Sequence, residues 1–173
     1  MHQSSKLGLF VEENLQSIRV CLALVFLWAP FYLMAHNGWF IHTVLHRIAL
    51  CVALVVELLL RSLGNDVLRT GVIVQGTSVQ LEVIHSCTGI YQITAFAVAV
   101  LAYPASLVSK MIGLFRGALY ISAINVLRIA TVFYAGTYFP IFLPVLHTII
   151  WEALMILLTV VVWLAWAKRT NDS

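Results

Sequence analysis

The chain has 173 residues, of which 62% are hydrophobic and only 10% carry a charged side chain. Soluble domains usually contain about 25% charged residues, so this composition excludes an ordinary soluble protein. It predicts an all-α integral membrane helical bundle that forms a single domain over residues 1–173. The net charge of +3 is too small, and the basic residues are too scattered, for a protein that binds nucleic acid.

Apolar segments predict four or five transmembrane helices, and the first covers residues 18–35, long enough to cross about 30 Å of hydrocarbon. It has no small-x-small cleavage site, so we expect a retained anchor rather than a signal peptide. The second helix, predicted over residues 40–63, carries a polar stripe on one face: His42, His46, Glu57 and Arg61. Such a stripe is typical of a helix that lies along the membrane interface, although this segment is also long enough to cross.

The next segment, residues 67–85, has alternating β-branched residues with Gly-Thr-Ser in its middle, which predicts a short β-hairpin outside the membrane. Three further transmembrane helices are predicted at residues 88–107, 114–134 and 145–167. Between the last two, the aromatic- and proline-rich stretch GTYFPIFLP predicts a turn at the level of the membrane interface.

Basic residues at the segment ends predict the orientation. Lys110 and Arg116 flank the turn between the third and fourth helices, and Lys168 and Arg169 follow the fifth. The positive-inside rule places both positions in the cytoplasm, so we expect a multi-pass protein of the cell (cytoplasmic) membrane. The opposite ends of these three helices then face the outside.

The number of crossings follows from the position of the N-terminus. Lys6 and Arg19 favour a cytoplasmic N-terminus, which requires that residues 40–63 lie along the outer interface without crossing. The alternative is an external N-terminus with five full crossings. The polar stripe favours the first arrangement.

Three apolar segments each carry one reactive or charged side chain: Cys87, Arg128 and His147. An ionisable group in hydrocarbon costs a few kcal/mol, so each such group is a candidate functional residue. At ~1.5 Å per helical residue, Cys87 lies about 34 Å from Lys110, and His147 about 32 Å from Lys168. Both are therefore expected at the outer boundary, with Arg128 in the outer half of the membrane.

Cys87 is the candidate nucleophile because the sequence Ser-Cys-Thr-Gly opens a predicted helix, whose positive dipole end stabilises a thiolate. Gly89 would allow a substrate backbone to approach closely. The two other cysteines, Cys21 and Cys51, lie within apolar runs and are expected to be small packed side chains. No disulfide framework is predicted.

Two histidines are candidates for the base that serves this thiol. His147 follows Pro144 in the first turns of a spanning helix, whereas His85 lies only two residues from Cys87 in a predicted strand. The rigidity of the helix favours His147.

Arg128 lies too deep for its charge to reach the interface easily, so it needs a partner. Asn125 shares its helix face. Glu152 is a possible counter-ion, and in that case Arg128 would be structural.

CTGI at the start of one helix, N-x-x-R in the next span and a histidine at the start of the last resemble the exosortase/archaeosortase family of membrane transpeptidases. The resemblance covers about residues 79–167, with Thr88 where the family pattern usually has serine. It implies that Cys87 is the nucleophile, Arg128 the oxyanion-stabilising or substrate-orienting group and His147 the general acid/base. It implies no cofactor.

The resemblance also implies partners. The substrates would be secreted proteins whose C-terminal sorting signal has a short motif, a transmembrane helix and a basic tail. Cleavage would give a thioester acyl-enzyme, and an amine on a lipid or cell-envelope precursor would accept the protein.

Two other interpretations stay open. An intramembrane cysteine protease would use water as the acceptor, and a non-catalytic assembly or scaffold subunit would pair Arg128 with Glu152. A thiol oxidase is disfavoured because that chemistry uses paired cysteines. No metal site is predicted, since the histidines are not spaced with a carboxylate as metal ligands are.

Overall fold

A computed structural model describes residues 37–171 together with Val25, Phe26, Ala29 and Leu33, which are helical. The predicted span at residues 18–35 otherwise lies outside the described residues. Within the described part of the chain the elements in order are α1 Gly38–Ser62, β1 Leu68–Thr70, β2 Ile73–Gln75, β3 Gln80–Glu82, α2 Ile90–Ala102, α3 Leu107–Tyr138 and α4 Pro140–Asn171.

Three of these helices, α1, α3 and α4, are long and apolar enough to cross a membrane, with 25, 32 and 32 residues. The predicted fold class, a helical membrane bundle with a few external strands, is confirmed. The boundaries of the individual helices differ from the predicted ones in physically informative ways.

Helix α2 is shorter than predicted, with 13 residues and a length of about 20 Å. It ends because Pro104 disfavours a helical conformation at Tyr103, which is extended. Ser106 then caps α3 by accepting a hydrogen bond from the backbone N–H of Ser109 at 3.3 Å. Lys110 and Arg116 were predicted beside a turn, and this is wrong: both lie inside α3, which begins at Leu107.

The predicted turn GTYFPIFLP is also almost entirely helical. Helix α3 continues to Tyr138, and α4 begins at Pro140, so only Phe139 separates two helices of 32 residues. Proline is tolerated there because its missing N–H would have no intrahelical acceptor in the first turn. The first turns of α4 are irregular, and residues Leu146–Ile150 are π-helical.

The predicted β-hairpin is a three-stranded antiparallel sheet in the order β1-β2-β3. An additional turn at Gly71, which has a φ of 64°, separates β1 from β2. Val74 pairs with Arg69 on one side and with Leu81 on the other. The predicted Gly-Thr-Ser turn, at residues 76–78, connects β2 to β3.

The polar stripe of α1 lies beside this sheet, with Glu57 buried and His42, His46 and Arg61 exposed. The Glu57 carboxylate binds Arg61 at 2.9 Å and Arg69 of β1 at 2.8 Å. Arg61 also donates two hydrogen bonds, of 3.2 and 3.1 Å, to the carbonyl oxygen of Val67. The ion pairs attach the sheet to α1, so Glu57 and Arg61 of the stripe have protein partners.

Both ends of α1 nevertheless lie on the side of the molecule that carries the sheet. His46 near its start lines a cavity with His85, which precedes α2. Beyond its end, Asn65 donates a 2.7 Å hydrogen bond to the hydroxyl of Tyr134 near the end of α3. These contacts attach both parts of α1 to the half of the bundle that contains Cys87.

Two apolar clusters hold the helices together. The first joins α1, the sheet and the second half of α3, and Cys87 is one of its buried members. The second joins α2, α3 and α4, with these buried side chains: Phe96, Val100, Ile121 and Met155. The thiol therefore lies where the sheet meets the helical bundle.

Candidate active site

Cys87 and His147 come together at the meeting point of three elements. Cys87 is the last residue of a short 3-10 helix, His85–Cys87, which precedes α2. His147 lies in the π-helical turn of α4, a type of irregularity that is frequent at functional sites. The Sγ of Cys87 is 3.6 Å from Nε2 of His147, within hydrogen-bonding distance for sulfur.

Arg128 of α3 completes this group. Its side chain is 4% exposed, and it lines a cavity of about 40 Å³ together with Cys87 and His147. The Arg128 side chain makes no ion pair or hydrogen bond with any residue that the structure describes. A buried guanidinium without a protein acceptor retains its donors for a ligand in the cavity.

Glu152, the alternative partner of Arg128, is exposed on α4. Within residues 37–171 it forms no ion pair, and both ion pairs found there belong to Glu57. The contact that a structural Arg128–Glu152 pair requires is therefore not formed.

Asn125 anchors the backbone of the nucleophile. Its Nδ2 donates a 2.8 Å hydrogen bond to the carbonyl oxygen of Cys87, and the residue is 1% exposed. Its Oδ1 is buried and has no protein partner among the described residues. Asn125 and Arg128 lie one turn apart on α3, on the helix face that they were predicted to share. Asn125 binds the backbone of Cys87, and Arg128 lines the cavity beside the thiol.

Gly89 has a different role from the predicted one. Its φ of 75° is a left-handed conformation that favours glycine. A Cβ at this position would lie 3.1 Å from Cγ of Asn125, so Asn125 and not a substrate backbone occupies the space beside it. Because Gly89 has no side chain, Asn125 has room to form its hydrogen bond with Cys87.

His85 does not face the thiol. It lines a separate cavity of about 170 Å³ with His42 and His46, and its ring packs edge-on against Tyr91 at 6.4 Å between centroids. The structure therefore brings His147, and not His85, to Cys87. Within residues 37–171 no group of three or more His, Cys, Asp or Glu side chains is arranged to hold a metal ion.

Four features of the structure were not predicted. The hydroxyl of Thr88 donates a 2.7 Å hydrogen bond to the carbonyl oxygen of His85, which a serine at that position would also be able to make. The π-helical turn around His147 left no recognisable pattern in the sequence, and the polar stripe did not reveal that Arg69 of β1 would bind Glu57. Cys51, predicted to be packed, is exposed on α1 because the apolar run that contains it covers the outside of the bundle as well as its core.

Comparison with known proteins identifies a family for the chain. A model of the transmembrane exosortase family matches residues 14–164. The match extends beyond the three motif segments to the sheet and α1. No curated protein and no solved structure matches the chain significantly.

Proposed function

Because the chain belongs to the transmembrane exosortase family, we propose that it is a cysteine transpeptidase that cleaves the sorting signal of secreted proteins and transfers them to an amine. Family membership and three long apolar helices make it a multi-pass membrane protein with a role in protein sorting. The identity of the catalytic residues, the acyl-enzyme and the substrate are proposed beyond this role.

The observation that carries the proposal is the 3.6 Å approach of Cys87 and His147 beside the buried Arg128. These residues are separated by 41 and 19 positions in the chain and come from three different elements. A thiol, an imidazole and a guanidinium around one cavity are the groups that acyl transfer through a thioester uses.

The chemistry divides the roles among these residues. The Cys87 thiolate attacks the scissile carbonyl carbon, and the developing negative charge on the oxygen is stabilised by Arg128. As the C–N bond breaks, His147 gives its proton to the leaving amine, and a thioester remains on Cys87. An incoming amine loses a proton to His147 and attacks the thioester, so a new C–N bond forms and the thiolate leaves.

The dimensions of the helices support the type of substrate that the family resemblance implies. Lys110 and Arg128 are 18 residues apart on α3, or about 27 Å, and His147 and Lys168 are 21 residues apart on α4, or about 32 Å. A secreted protein whose C-terminal helix ends in a basic tail at the cytoplasmic surface would place the motif before that helix at the level of Cys87. This match in length supports an active site on the outer side of the cytoplasmic membrane.

The test is processing of a co-encoded secreted protein that ends in a short motif, a transmembrane helix and a basic tail. Cys87→Ala and Cys87→Ser should abolish processing, while Cys51→Ala, a matched cysteine control, should leave it nearly intact. His147→Ala should remove most activity and His85→Ala little, because His147 contacts the thiol and His85 lines a different cavity. Substantial processing by Cys87→Ala would support a scaffold role instead.

Mass spectrometry of the processed C-terminus identifies the acceptor. Transfer gives the mass of the attached amine, and hydrolysis gives a free carboxylate. Neutral hydroxylamine in the reaction should yield a C-terminal hydroxamate with the wild-type enzyme, because it cleaves thioesters. Absence of the hydroxamate with an active enzyme would contradict the acyl-enzyme.

A further inference from the structure

A large cleft opens between α3 and α4 at the end of the bundle opposite to Cys87. Its volume is about 670 Å³, which is in the range of sites that enclose small organic ligands. Two buried glycines of α3 lie at its base: a Cβ on Gly113 would collide with Trp166, and one on Gly117 would collide with Phe96. These two rings fill the space above the glycines, and the cleft beside them has mostly apolar walls.

Two arginines lie on this otherwise apolar surface. Arg116 of α3 and Arg169 of α4 both line the cleft, and both are exposed. Neither makes an ion pair or a hydrogen bond with the part of the chain that the structure describes. Lys110, by contrast, donates a 2.7 Å hydrogen bond to the carbonyl oxygen of Leu101.

The depth of Arg116 makes its lack of a partner costly. It lies six residues beyond Lys110 along α3, or about 9 Å deeper, so its guanidinium starts within the apolar part of the span. A charged side chain at this depth is stable when it reaches back to the interface or meets an anion. Arg169 stands at the basic end of α4 and lines the same cleft, so an anion between the two would neutralise both.

We propose that this cleft binds an anionic phospholipid, with the phosphate between Arg116 and Arg169 and an acyl chain along the apolar walls. Arginine offers a planar fork of donors that matches phosphate oxygens, and basic pockets between membrane helices on the cytoplasmic side are typical sites for anionic headgroups. A substrate helix is the competing occupant, but its basic tail would meet two arginines of the same sign. The site is distinct from the acceptor site of the proposed reaction, since Arg116 is 12 residues, about 18 Å, from Arg128.

The experiment is native mass spectrometry of the purified full-length chain in detergent with equal amounts of dioleoylphosphatidylglycerol and dioleoylphosphatidylcholine. We expect preferential retention of phosphatidylglycerol, reduced about five-fold by Arg116→Gln and by Arg169→Gln. Arg116→Lys should keep part of the preference. Lys168→Gln removes the same charge at the same end of α4, but Lys168 does not line the cleft, so it should leave retention unchanged.

A second variant tests the apolar part of the cleft without changing charge. Val161→Trp should fill the groove and lower phosphatidylglycerol retention. Equal retention of the two lipids by the wild type, or an equal loss with Lys168→Gln, would overturn the proposal. So would a rise in melting temperature with inorganic phosphate alone that Arg116→Gln removes, because free phosphate would then be the ligand. Since the assay does not measure processing, its failure leaves the proposed function untouched.

Discussion

Asn125 donates a 2.8 Å hydrogen bond from Nδ2 to the carbonyl oxygen of Cys87, so α3 holds the turn that carries the thiol. Arg128 lies one turn further along the same helix and lines the cavity of Cys87 and His147. One rigid helix therefore sets the position of the nucleophile relative to the guanidinium. This relationship links the two motifs CTGI and N-x-x-R physically.

Loss of this hydrogen bond should lower activity more than removal of a nearby hydroxyl group from the same helix does. Asn125→Asp keeps the shape but removes the donor, and the buried carbonyl then costs about 1–3 kcal/mol. We expect at least a tenfold loss of processing, measured with protein abundance, and little effect of Ser122→Ala as the control. Full processing by Asn125→Asp would show that the anchor does not position Cys87.

Arg128 should depend on the shape of its side chain as well as on its charge. Arg128→Lys keeps the charge but loses the forked donors, so processing should fall on the order of 100-fold or more. Protein abundance should change little. Glu152→Gln should be tolerated because Glu152 is exposed and forms no ion pair among the described residues.

The same assay separates the catalytic and structural roles of Arg128. A structural ion pair predicts that Arg128→Lys is tolerated and that Glu152→Gln lowers abundance as much as Arg128→Ala does. Normal processing by Arg128→Lys would remove Arg128 from the catalytic group and leave a pair formed by Cys87 and His147.

Glu57 should matter for the stability of the sheet on α1. Its carboxylate binds two arginines and its side chain is 10% exposed, whereas the side chain of Arg61 is 52% exposed. Glu57→Gln should lower the free energy of unfolding by about 2 kcal/mol, because charge-assisted hydrogen bonds are lost. Arg61→Gln should cost clearly less, and thermal unfolding in detergent measures the difference. Equal effects of the two variants would argue against the carboxylate as the centre of the contact.

Cysteine labelling should decide the orientation of the bundle and the path of α1. In a Cys-free background, Asp66→Cys and Asn37→Cys should both react with an impermeant thiol reagent from outside. Val108→Cys, at the start of α3, should react only after permeabilisation. Labelling of position 37 from inside only would mean that α1 crosses the membrane, and external labelling of position 108 would reverse the whole orientation.

The residues of the site were predictable because a polar group in hydrocarbon is expensive. Cys87, Arg128 and His147 stood out against apolar segments. The predicted distance of about 34 Å between Cys87 and Lys110 assumed an unbroken helix, and this is wrong because α2 has only 13 residues and Lys110 belongs to α3. The mutual distances of the three site residues were not predictable, since they depend on how α2, α3 and α4 pack. The choice between His147 and His85 likewise follows from the direction of two side chains, which spacing alone does not determine.

The helix boundaries were less predictable because proline and aromatic residues occur both in turns and at the ends of helices. In GTYFPIFLP they were interpreted as a turn, yet Pro140 starts a helix, and the aromatic side chains before it extend α3. The polar stripe on α1 posed a similar ambiguity. Charged residues on one helical face indicate either water or a charged partner, and Arg69 came from a strand whose docking site the sequence does not reveal.

The cavity beside Cys87 has consequences for access. Its volume of about 40 Å³ is far below the roughly 300–1,000 Å³ of sites that enclose a small ligand. We therefore expect that a peptide segment enters when part of the lining, such as Leu81 and Glu82, moves aside, and that this movement draws on the binding free energy of the substrate. We expect unrelated polypeptides that bind weakly to leave the thiol covered, so that discrimination would precede bond cleavage. In the proposed reaction, a substrate that fills the cavity would keep bulk water from the thioester and give an amine acceptor time to react before hydrolysis.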